Sequence, residues 1–279
     1  MKLGIITWSY RFAMGRKLQD YSGPQTMDIF AFIRHVKELG LDGYQCELPY
    51  LTDGEQISKI RKLNEKLGLY IEVAGWGANR DSLIEQIRKA HDVGASVLRT
   101  ALGGLRIHTW DRTILAAELK EKTEQLRAVI PELKKYNIRL AVENHQDALL
   151  GEFVEILDSL DREWIGSCPD SGNNLLVAED PSVAFETLLP YAYACHFKDF
   201  AIRPTSVFPA GGIITGVALG KGVFNLPHLM ELIRKHAPHI NVTIENQLEP
   251  KATPQESVEY EENCARESVR YAREILNVH

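Results

Sequence analysis

The chain has 279 residues, of which 44% are hydrophobic and 25% are charged, and its net charge is −6. This composition excludes a disordered, collagen-like or coiled-coil chain, and the negative charge gives no support for binding nucleic acid or an anionic membrane. No apolar run is long enough to span a bilayer, and the N-terminus lacks the features of a signal peptide. We therefore expect a cytoplasmic protein with no nucleic-acid partner and no membrane partner.

Short apolar runs rich in β-forming residues alternate with amphipathic helical stretches along the whole chain. The predicted strands begin near Lys2, Gly43, Leu69, Ser96, Ile138, Trp164, Ala192 and Asn241. Between them, helical periodicity over residues 30–40, 57–68 and 83–94 ends each time at a glycine, which is a usual helix C-cap. A final helix is predicted over residues 257–276.

This alternation predicts an α/β fold in which eight parallel strands close into a (β/α)₈ TIM barrel, with residues 1–279 as a single domain. An open doubly wound sheet is the alternative, but no G-x-G-x-x-G motif follows the first strand. The longest stretch without periodicity, residues 201–222, follows the seventh predicted strand. We expect it to lie over the C-terminal mouth of the barrel as a substrate loop.

Polar side chains stand at the C-terminal ends of four consecutive predicted strands, where this fold builds its active sites. In chain order they are Glu143 and His145, Asp170, His196 with Lys198 and Asp199, and Glu245. Each alone could be a solvated rim charge or a hydrogen-bonded core residue. Together, three carboxylates and a histidine suit a divalent cation, and the carboxylates would repel one another without one. We expect Mn²⁺ here, with Mg²⁺, Co²⁺ and Zn²⁺ as alternatives.

In this order and spacing, five short motifs make the chain resemble the xylose isomerase-like TIM barrels. The motifs are VENH at 142–145, D-x-G-N at 170–173, H-x-K-D at 196–199, G-x-G at 220–222 and IEN at 244–246. That superfamily includes sugar 3-epimerases, inosose and dehydroshikimate dehydratases, and endonuclease IV. The resemblance implies a metal held by Glu143, Asp170, His196 and Glu245, with Glu143 and Glu245 also acting as acid and base.

The same resemblance implies an isomerase or epimerase of carbohydrate metabolism. Its substrate would be a sugar or keto-sugar, and a proton would be removed next to a metal-bound carbonyl to give an enediolate. The chain departs from the epimerases at Asn173, where they carry a histidine that contacts the substrate, and at Lys221, where they carry a glutamate. These departures count against a plain keto-sugar 3-epimerase.

His145 points to a second possible chemistry. It lies two residues after Glu143, so on a continuing strand both side chains face the same way, and a neutral histidine there is a candidate general base. A hydrogen bond to the metal site is the alternative reading. The ENH motif also resembles the catalytic subunit of C-glycoside deglycosidases, so the alternative function is a metal-dependent lyase or dehydratase acting on 3-keto glycosides.

Further residues near the strand ends are candidates for substrate binding. They are Trp8, Glu47, Trp76, Arg99, Asn173, Lys198 and Asp199. An aromatic ring packs well on the apolar face of a sugar, although tryptophan at a strand end is also ordinary core. The endonuclease IV branch carries histidine ligands where this chain has Glu47 and Arg99, and the intact ligand set argues against a non-catalytic barrel. We expect a small carbohydrate substrate and a homo-oligomer, either dimer or tetramer, or a β subunit if the protein is a deglycosidase.

Overall fold

The computed structural model describes residues 1–18, 21–205 and 211–278 of the chain. Its strands are β1 (Leu3–Ile6), β2 (Gly43–Glu47), β3 (Tyr70–Ala74), β4 (Val97–Thr100), β5 (Arg139–Glu143), β6 (Ile165–Cys168), β7 (His196–Phe197), β8 (Asp199–Pro204), β9 (Gly212–Val217) and β10 (Val242–Ile244). Its α-helices are α1 (Ile29–Glu38), α2 (Gly54–Leu67), α3 (Arg80–Val93), α4 (Leu105–His108), α5 (Arg112–Ala128), α6 (Ile130–Tyr136), α7 (Leu150–Asp158), α8 (Pro181–Leu188), α9 (Leu226–His236) and α10 (Pro254–Glu274).

Eight of these strands form one parallel sheet in the order β6-β5-β4-β3-β2-β1-β10-β7. The first strand pairs with the last, and the two outer strands are linked by isolated parallel bridges from Ser167 to Ala192 and from Asp170 to His196. The sheet is therefore a nearly closed barrel with helices between its strands, and the predicted TIM barrel is confirmed. One hydrophobic cluster runs from Leu3 to Val278 and joins the barrel to its helices.

Helix bounds follow the capping signals in the sequence. Asp53 begins α2, because its carboxylate accepts the backbone N–H groups of Glu55 and Gln56. The helices α2 and α3 end before Gly68 and Gly94, whose φ angles of 65° and 86° suit glycine and disfavour other residues. None of the described helices has both the length and the apolar character needed to cross a bilayer.

The segment after β7 is more regular than its sequence suggests. Part of the predicted loop 201–222 is an antiparallel hairpin of β8 and β9, in which Asp199 pairs with Val217 and Pro204 with Gly212. Residues 206–210 of that loop lie outside the described residues. Gly216 lets the hairpin pack closely on the segment after β10, because a Cβ there would come within 2.1 Å of the Gln247 carbonyl oxygen. A role for this segment in binding substrate stays a prediction.

Candidate metal centre and active site

The four predicted ligands Glu143, Asp170, His196 and Glu245, here called the ligand cluster, meet at the C-terminal rim of the barrel. Glu143 is the last residue of β5, Asp170 follows β6 by two residues, His196 begins β7 and Glu245 directly follows β10. All four side chains are buried, and one potential ligand atom of each lies within 4.8 Å of the others. The backbone bridge between Asp170 and His196 joins two of them directly. The fold thus gathers three carboxylates and an imidazole at the spacing of a single-ion site.

Each member of the ligand cluster has one buried atom whose contacts in the described residues are ion pairs. Glu143 Oε2 contacts Arg99, Asp170 Oδ2 contacts Lys198, and Glu245 Oε2 contacts both Lys198 and His196 Nδ1. Adjacent buried carboxylates nevertheless repel one another. A divalent cation would relieve that repulsion, and three oxygen donors with one nitrogen donor suit such an ion. The residues present therefore fit a metal ion.

Hydrogen bonds from the chain fix the other oxygen of two of these carboxylates. Asp170 Oδ1 accepts the backbone N–H groups of Gly172 and Asn173 at 2.8 and 2.9 Å. The side chain of Asn173 donates from Nδ2 to Glu143 Oε1 at 2.7 Å. Both carboxylates are thereby fixed in orientation, as ligands commonly are before a metal binds, and their second oxygens contact Arg99 and Lys198.

Two buried cations stand beside the ligand cluster. Arg99 forms an ion pair with Glu143, and Lys198 Nζ lies 2.9 Å from both Asp170 Oδ2 and Glu245 Oε2. Burial raises the pKa of Glu143, but the Arg99 guanidinium lowers that pKa by more than burial raises it, so the pKa lies below its usual range. For Glu245, burial likewise raises the pKa, and Lys198 brings it well below the ordinary value. Both glutamates are therefore carboxylates at neutral pH, whereas burial dominates at Asp170 and raises its pKa.

A pocket of about 580 Å³ opens beside the ligand cluster. It is lined by Ile6, Trp8, Arg16, Glu47, Leu48, Pro49, Ala74, Gly75, Trp76, Arg99, His145, Lys198, Glu245 and Gln247. Glu245 belongs to both the pocket wall and the ligand cluster, so a small molecule in the pocket would lie against the ligands. The volume suits a small metabolite, and the wall combines aromatic surface with a few charged groups, as ligand sites commonly do.

The pocket brings together most of the predicted substrate-binding residues. Those that line it are Trp8, Glu47, Trp76, Arg99 and Lys198. Asn173 lies behind the wall, where its Oδ1 accepts from Lys198 Nζ at 3.3 Å while its Nδ2 donates to Glu143. It links a ligand to a cation that lines the pocket, and whether it contacts substrate stays a prediction.

Asp199 has a different position from the one expected for a substrate-binding residue. Its carboxylate accepts the backbone N–H groups of Gly220, Gly222 and Phe224 at 3.0, 2.8 and 3.3 Å, so it holds the turn after β9. This contact explains the G-x-G motif. Gly220 has a φ of 80°, and a Cβ on Gly222 would come within 2.0 Å of the Asp199 carboxylate. We assign Asp199 to holding this turn.

His145 lines the pocket and packs against Trp76, with ring centroids 4.9 Å apart and an interplanar angle of 89°. Its Nδ1 is buried and has no hydrogen-bond partner among the described groups. Because its imidazole borders the pocket, His145 is a candidate for exchanging a proton with a bound molecule. The assignment of His145 as a catalytic base stays a prediction.

Comparison with known proteins now fixes the family. The xylose isomerase-like TIM barrel family matches residues 33–275. The chain belongs to this family. A 3-oxo-isoapionate decarboxylase of Pectobacterium atrosepticum (strain SCRI 1043) is 24% identical over 274 residues, which are 97% of this chain and 94% of that protein. The resemblance inferred from the sequence motifs is confirmed.

Solved structures share the fold of this xylose isomerase-like barrel. A D-psicose 3-epimerase crystallised in the presence of D-fructose superposes with a TM-score of 0.72 at 14% identity, covering 99% of each chain. The IOLI protein with a bound zinc atom gives a TM-score of 0.70 at 13% identity, covering 97% of this chain and 98% of that one. The similar proteins thus include enzymes with different reactions, and they do not by themselves select one.

Two polar residues that line this xylose isomerase-like pocket, Arg16 and Gln247, were not predicted from the sequence. Arg16 Nη2 lies 3.3 Å from Glu47 Oε1, and the Arg16 guanidinium lies 5.5 Å from the centre of the Trp8 ring. It sits in the irregular segment after β1, where neither periodicity nor a motif marks it. Gln247 follows Glu245 by two residues, so the alternation argument that identified His145 would have found it.

Proposed function

We propose that the chain is a divalent-metal-dependent enzyme that acts next to the carbonyl group of a small sugar derivative, with the ligand cluster as its metal site. The observation that carries this proposal is the buried ligand cluster of three carboxylates and a histidine beside a pocket of about 580 Å³. When bound, the ion would supply an electrophile that polarises the substrate carbonyl. Zn²⁺, Mn²⁺, Mg²⁺ and Co²⁺ all accept this donor set.

The charges around the site support an anionic substrate. The carboxylates of the pocket and ligand cluster are Glu47, Glu143, Asp170 and Glu245, and the cations are Arg16, Arg99 and Lys198. A divalent ion added to four carboxylates and three cations leaves one net positive charge, which a single carboxylate on the substrate would neutralise. Arg16 is the cation best placed to pair with the substrate carboxylate, because its side chain is 32% exposed and its partner is Glu47 in the pocket wall. A sugar acid therefore fits this site better than a neutral sugar.

Loss of that carboxylate as CO₂ is the reaction we favour. Glu143 and Glu245 are each already paired with a buried cation, so neither is a free base. Decarboxylation of a 3-oxo acid needs no base, because the electrons of the broken C–C bond pass to the carbonyl and a proton is then returned to carbon. His145, whose side chain lines the pocket, can return that proton. The decarboxylase from Pectobacterium atrosepticum supports this assignment.

An isomerase or epimerase of a keto-sugar is the second candidate, and the two glutamates favour it. In that reaction one carboxylate would remove the proton next to the carbonyl and the other would return it. Both glutamates belong to the ligand cluster, but Arg99 and Lys198 would have to release them first. Elimination from a 3-keto glycoside would begin with the same proton abstraction.

One experiment separates these reactions. The metal-loaded protein is incubated in D₂O with a 3-oxo sugar acid, ketohexoses and 3-keto glycosides, and both NMR spectra and CO₂ release are followed. Release of CO₂ with deuterium on the vacated carbon is the expected result. Deuterium next to the carbonyl without release of CO₂ would support the isomerase instead, and a released aglycone would support the lyase. A protein that binds metal and transforms none of these compounds would overturn the proposed function.

A homo-oligomer and a cytoplasmic location remain predictions from the sequence. All four cysteines are unpaired and buried, which agrees with a reducing compartment. Light scattering on the purified protein would give the oligomeric state directly.

A further inference from the structure

A chain of polar side chains crosses the barrel interior behind the ligand cluster. His196 Nε2 lies 2.8 Å from Gln45 Oε1, and Gln45 Nε2 donates to Glu72 Oε2 at 3.3 Å. The other oxygen of Glu72 accepts from Asn241 Nδ2 at 2.9 Å. Gln45 and His196 are fully buried and Glu72 is 2% exposed, and neither Gln45 nor Glu72 belongs to the described pocket wall.

The strand register explains how these side chains meet. Gln45 and Glu72 are paired residues on the neighbouring parallel strands β2 and β3, so their side chains share one face of the sheet. β1 and β10 separate β2 from β7, and the bond from Gln45 to His196 therefore runs across the barrel. Among the described residues, Glu72 is a buried carboxylate with no ion-pair partner. Burying such a group costs free energy, which argues against a role in packing alone.

The hydrogen bonds fix which way the Gln45 amide faces. Because Glu72 Oε2 is met by the Gln45 nitrogen, the Gln45 oxygen is directed at His196. An amide oxygen only accepts hydrogen bonds, so Nε2 of His196 must carry a hydrogen. In the neutral imidazole, Nδ1 is then the nitrogen with a free lone pair. That atom faces the ligand cluster, 2.9 Å from Glu245 Oε2.

We propose that Gln45 and Glu72 are positioning residues that hold His196 in the tautomer and ring orientation required for binding a metal through Nδ1. The inference rests on the metal-dependent function proposed above and does not depend on which reaction is catalysed. A carboxylate or carbonyl behind a ligating histidine is a common arrangement, and losing such a partner costs about 10- to 100-fold in metal affinity. In this barrel an amide stands between the carboxylate and the histidine.

Metal affinity gives the first test. Gln45→Met removes the acceptor while keeping a similar side-chain volume, whereas Glu72→Gln keeps an oxygen that can accept from the Gln45 amide and serves as the matched control. We expect Gln45→Met to weaken Zn²⁺ binding about 10- to 100-fold in competition with a chelator, and Glu72→Gln to retain most of the affinity. Glu72→Met, in which the Gln45 amide is no longer held, should lose about tenfold and serves if Gln45→Met does not fold.

A spectroscopic signature separates positioning from a general effect on folding. In zinc-loaded protein with ¹⁵N-labelled histidine, His196 should show a proton on Nε2 and none on Nδ1. In folded Gln45→Met or Glu72→Met that proton should exchange faster with solvent. A folded variant with unchanged zinc affinity and an unchanged Nε2 signal would overturn the positioning role. Wild-type protein that binds no zinc or other divalent ion would overturn the proposed function instead.

Discussion

A buried and a half-buried cluster of charged groups in this barrel differ in how their charges are arranged. In the ligand cluster three buried carboxylates crowd around one histidine, and the cations that contact them, Arg99 and Lys198, line the pocket. Between the segment after β1 and the helices α1 and α10, Glu262 is fully partnered: its Oε2 accepts from the Tyr10 hydroxyl at 2.9 Å and lies 2.9 Å from His35 Nε2. We call Tyr10, His35 and Glu262 the α10 cluster.

The difference shows how a site can be told apart from a structural ion pair. In the α10 cluster, burial raises the pKa of Glu262, but the bonds from His35 and Tyr10 lower it to about 2, so the cluster stabilises the fold by itself. In the ligand cluster Arg99 and Lys198 also lower the pKa of Glu143 and Glu245, but three carboxylates remain crowded in one buried site that adjoins the pocket. Changes in the ligand cluster should therefore affect activity more than stability, and changes in the α10 cluster should do the reverse.

The largest effect is expected for Glu245→Gln. This change removes one ligand charge and one ion-pair partner of Lys198, so turnover should fall by about 10³-fold or more. The free energy of unfolding of the metal-free protein should fall only in part, because the ion pairs of Glu245 with Lys198 and His196 are lost while the repulsion among the three carboxylates is reduced. Steady-state kinetics and metal content test the first part, and urea unfolding tests the second. Activity close to that of the wild type would contradict a role for Glu245 in the reaction.

His145→Ala should lower kcat by about 10²-fold while leaving the metal content unchanged. The reason is that His145 lines the pocket but does not belong to the ligand cluster. Metal analysis by mass spectrometry and single-turnover kinetics provide the check. If the variant loses its metal, His145 supports the ligands; if it keeps both metal and activity, another group moves the proton.

The ligand cluster could be predicted from sequence because strand ends in a parallel barrel all reach one rim. Placing Glu143, Asp170, His196 and Glu245 near the ends of predicted strands was enough to bring them together. Asp199 shows the limit of this argument. It is three residues from His196, but the chain has already turned into β8, and its carboxylate is taken up by backbone N–H groups of residues 220–224.

Contacts between distant segments could not be predicted in this way. The Tyr10 hydroxyl bonds to Glu262, 252 residues away, and Gln45 bonds to His196, 151 residues away. No local pattern in the sequence pairs such residues. The hairpin of β8 and β9 was not predicted for a different reason: glycines and Pro204 interrupt the alternation of apolar and polar residues that marks a strand.

A smaller effect is expected at the aromatic wall of the pocket. Trp76 is 48% exposed and lines the pocket, so Trp76→Ala should raise KM by about 2- to 10-fold, equivalent to the roughly 0.5–1.5 kcal/mol of an aromatic contact. kcat should change less, because Trp76 lies outside the ligand cluster. Trp110, which is 58% exposed and outside the described pocket wall, gives the matched control Trp110→Ala. Equal effects of the two substitutions would contradict a binding role for Trp76.

The smallest effect on activity, with a measurable effect on stability, is expected for Glu262→Gln. Folding lowers the pKa of Glu262 from 4.5 to about 2, so its stabilisation is present above pH 4.5 and is lost as the pH falls towards 2. The pKa of His35 is raised, mainly by its bond to Glu262, so that contribution is present below pH 6.5 and is lost as the pH rises through the folded pKa. The variant should lose about 1–2 kcal/mol of unfolding free energy between pH 4.5 and 6.5.

That pH dependence separates the α10 cluster from an ordinary surface pair. The difference in unfolding free energy between wild type and Glu262→Gln should shrink strongly towards acid pH and partly above the pKa of His35, where the bond from Tyr10 still remains. Glu259→Gln, at an exposed position on the same helix, should show a small difference that varies little with pH. Kinetic constants should be unchanged in both variants. A Glu262→Gln protein that unfolds like the wild type at pH 5.5 would show that complete hydrogen bonding in this cluster does not stabilise the barrel, and the contrast with the ligand cluster would then no longer hold.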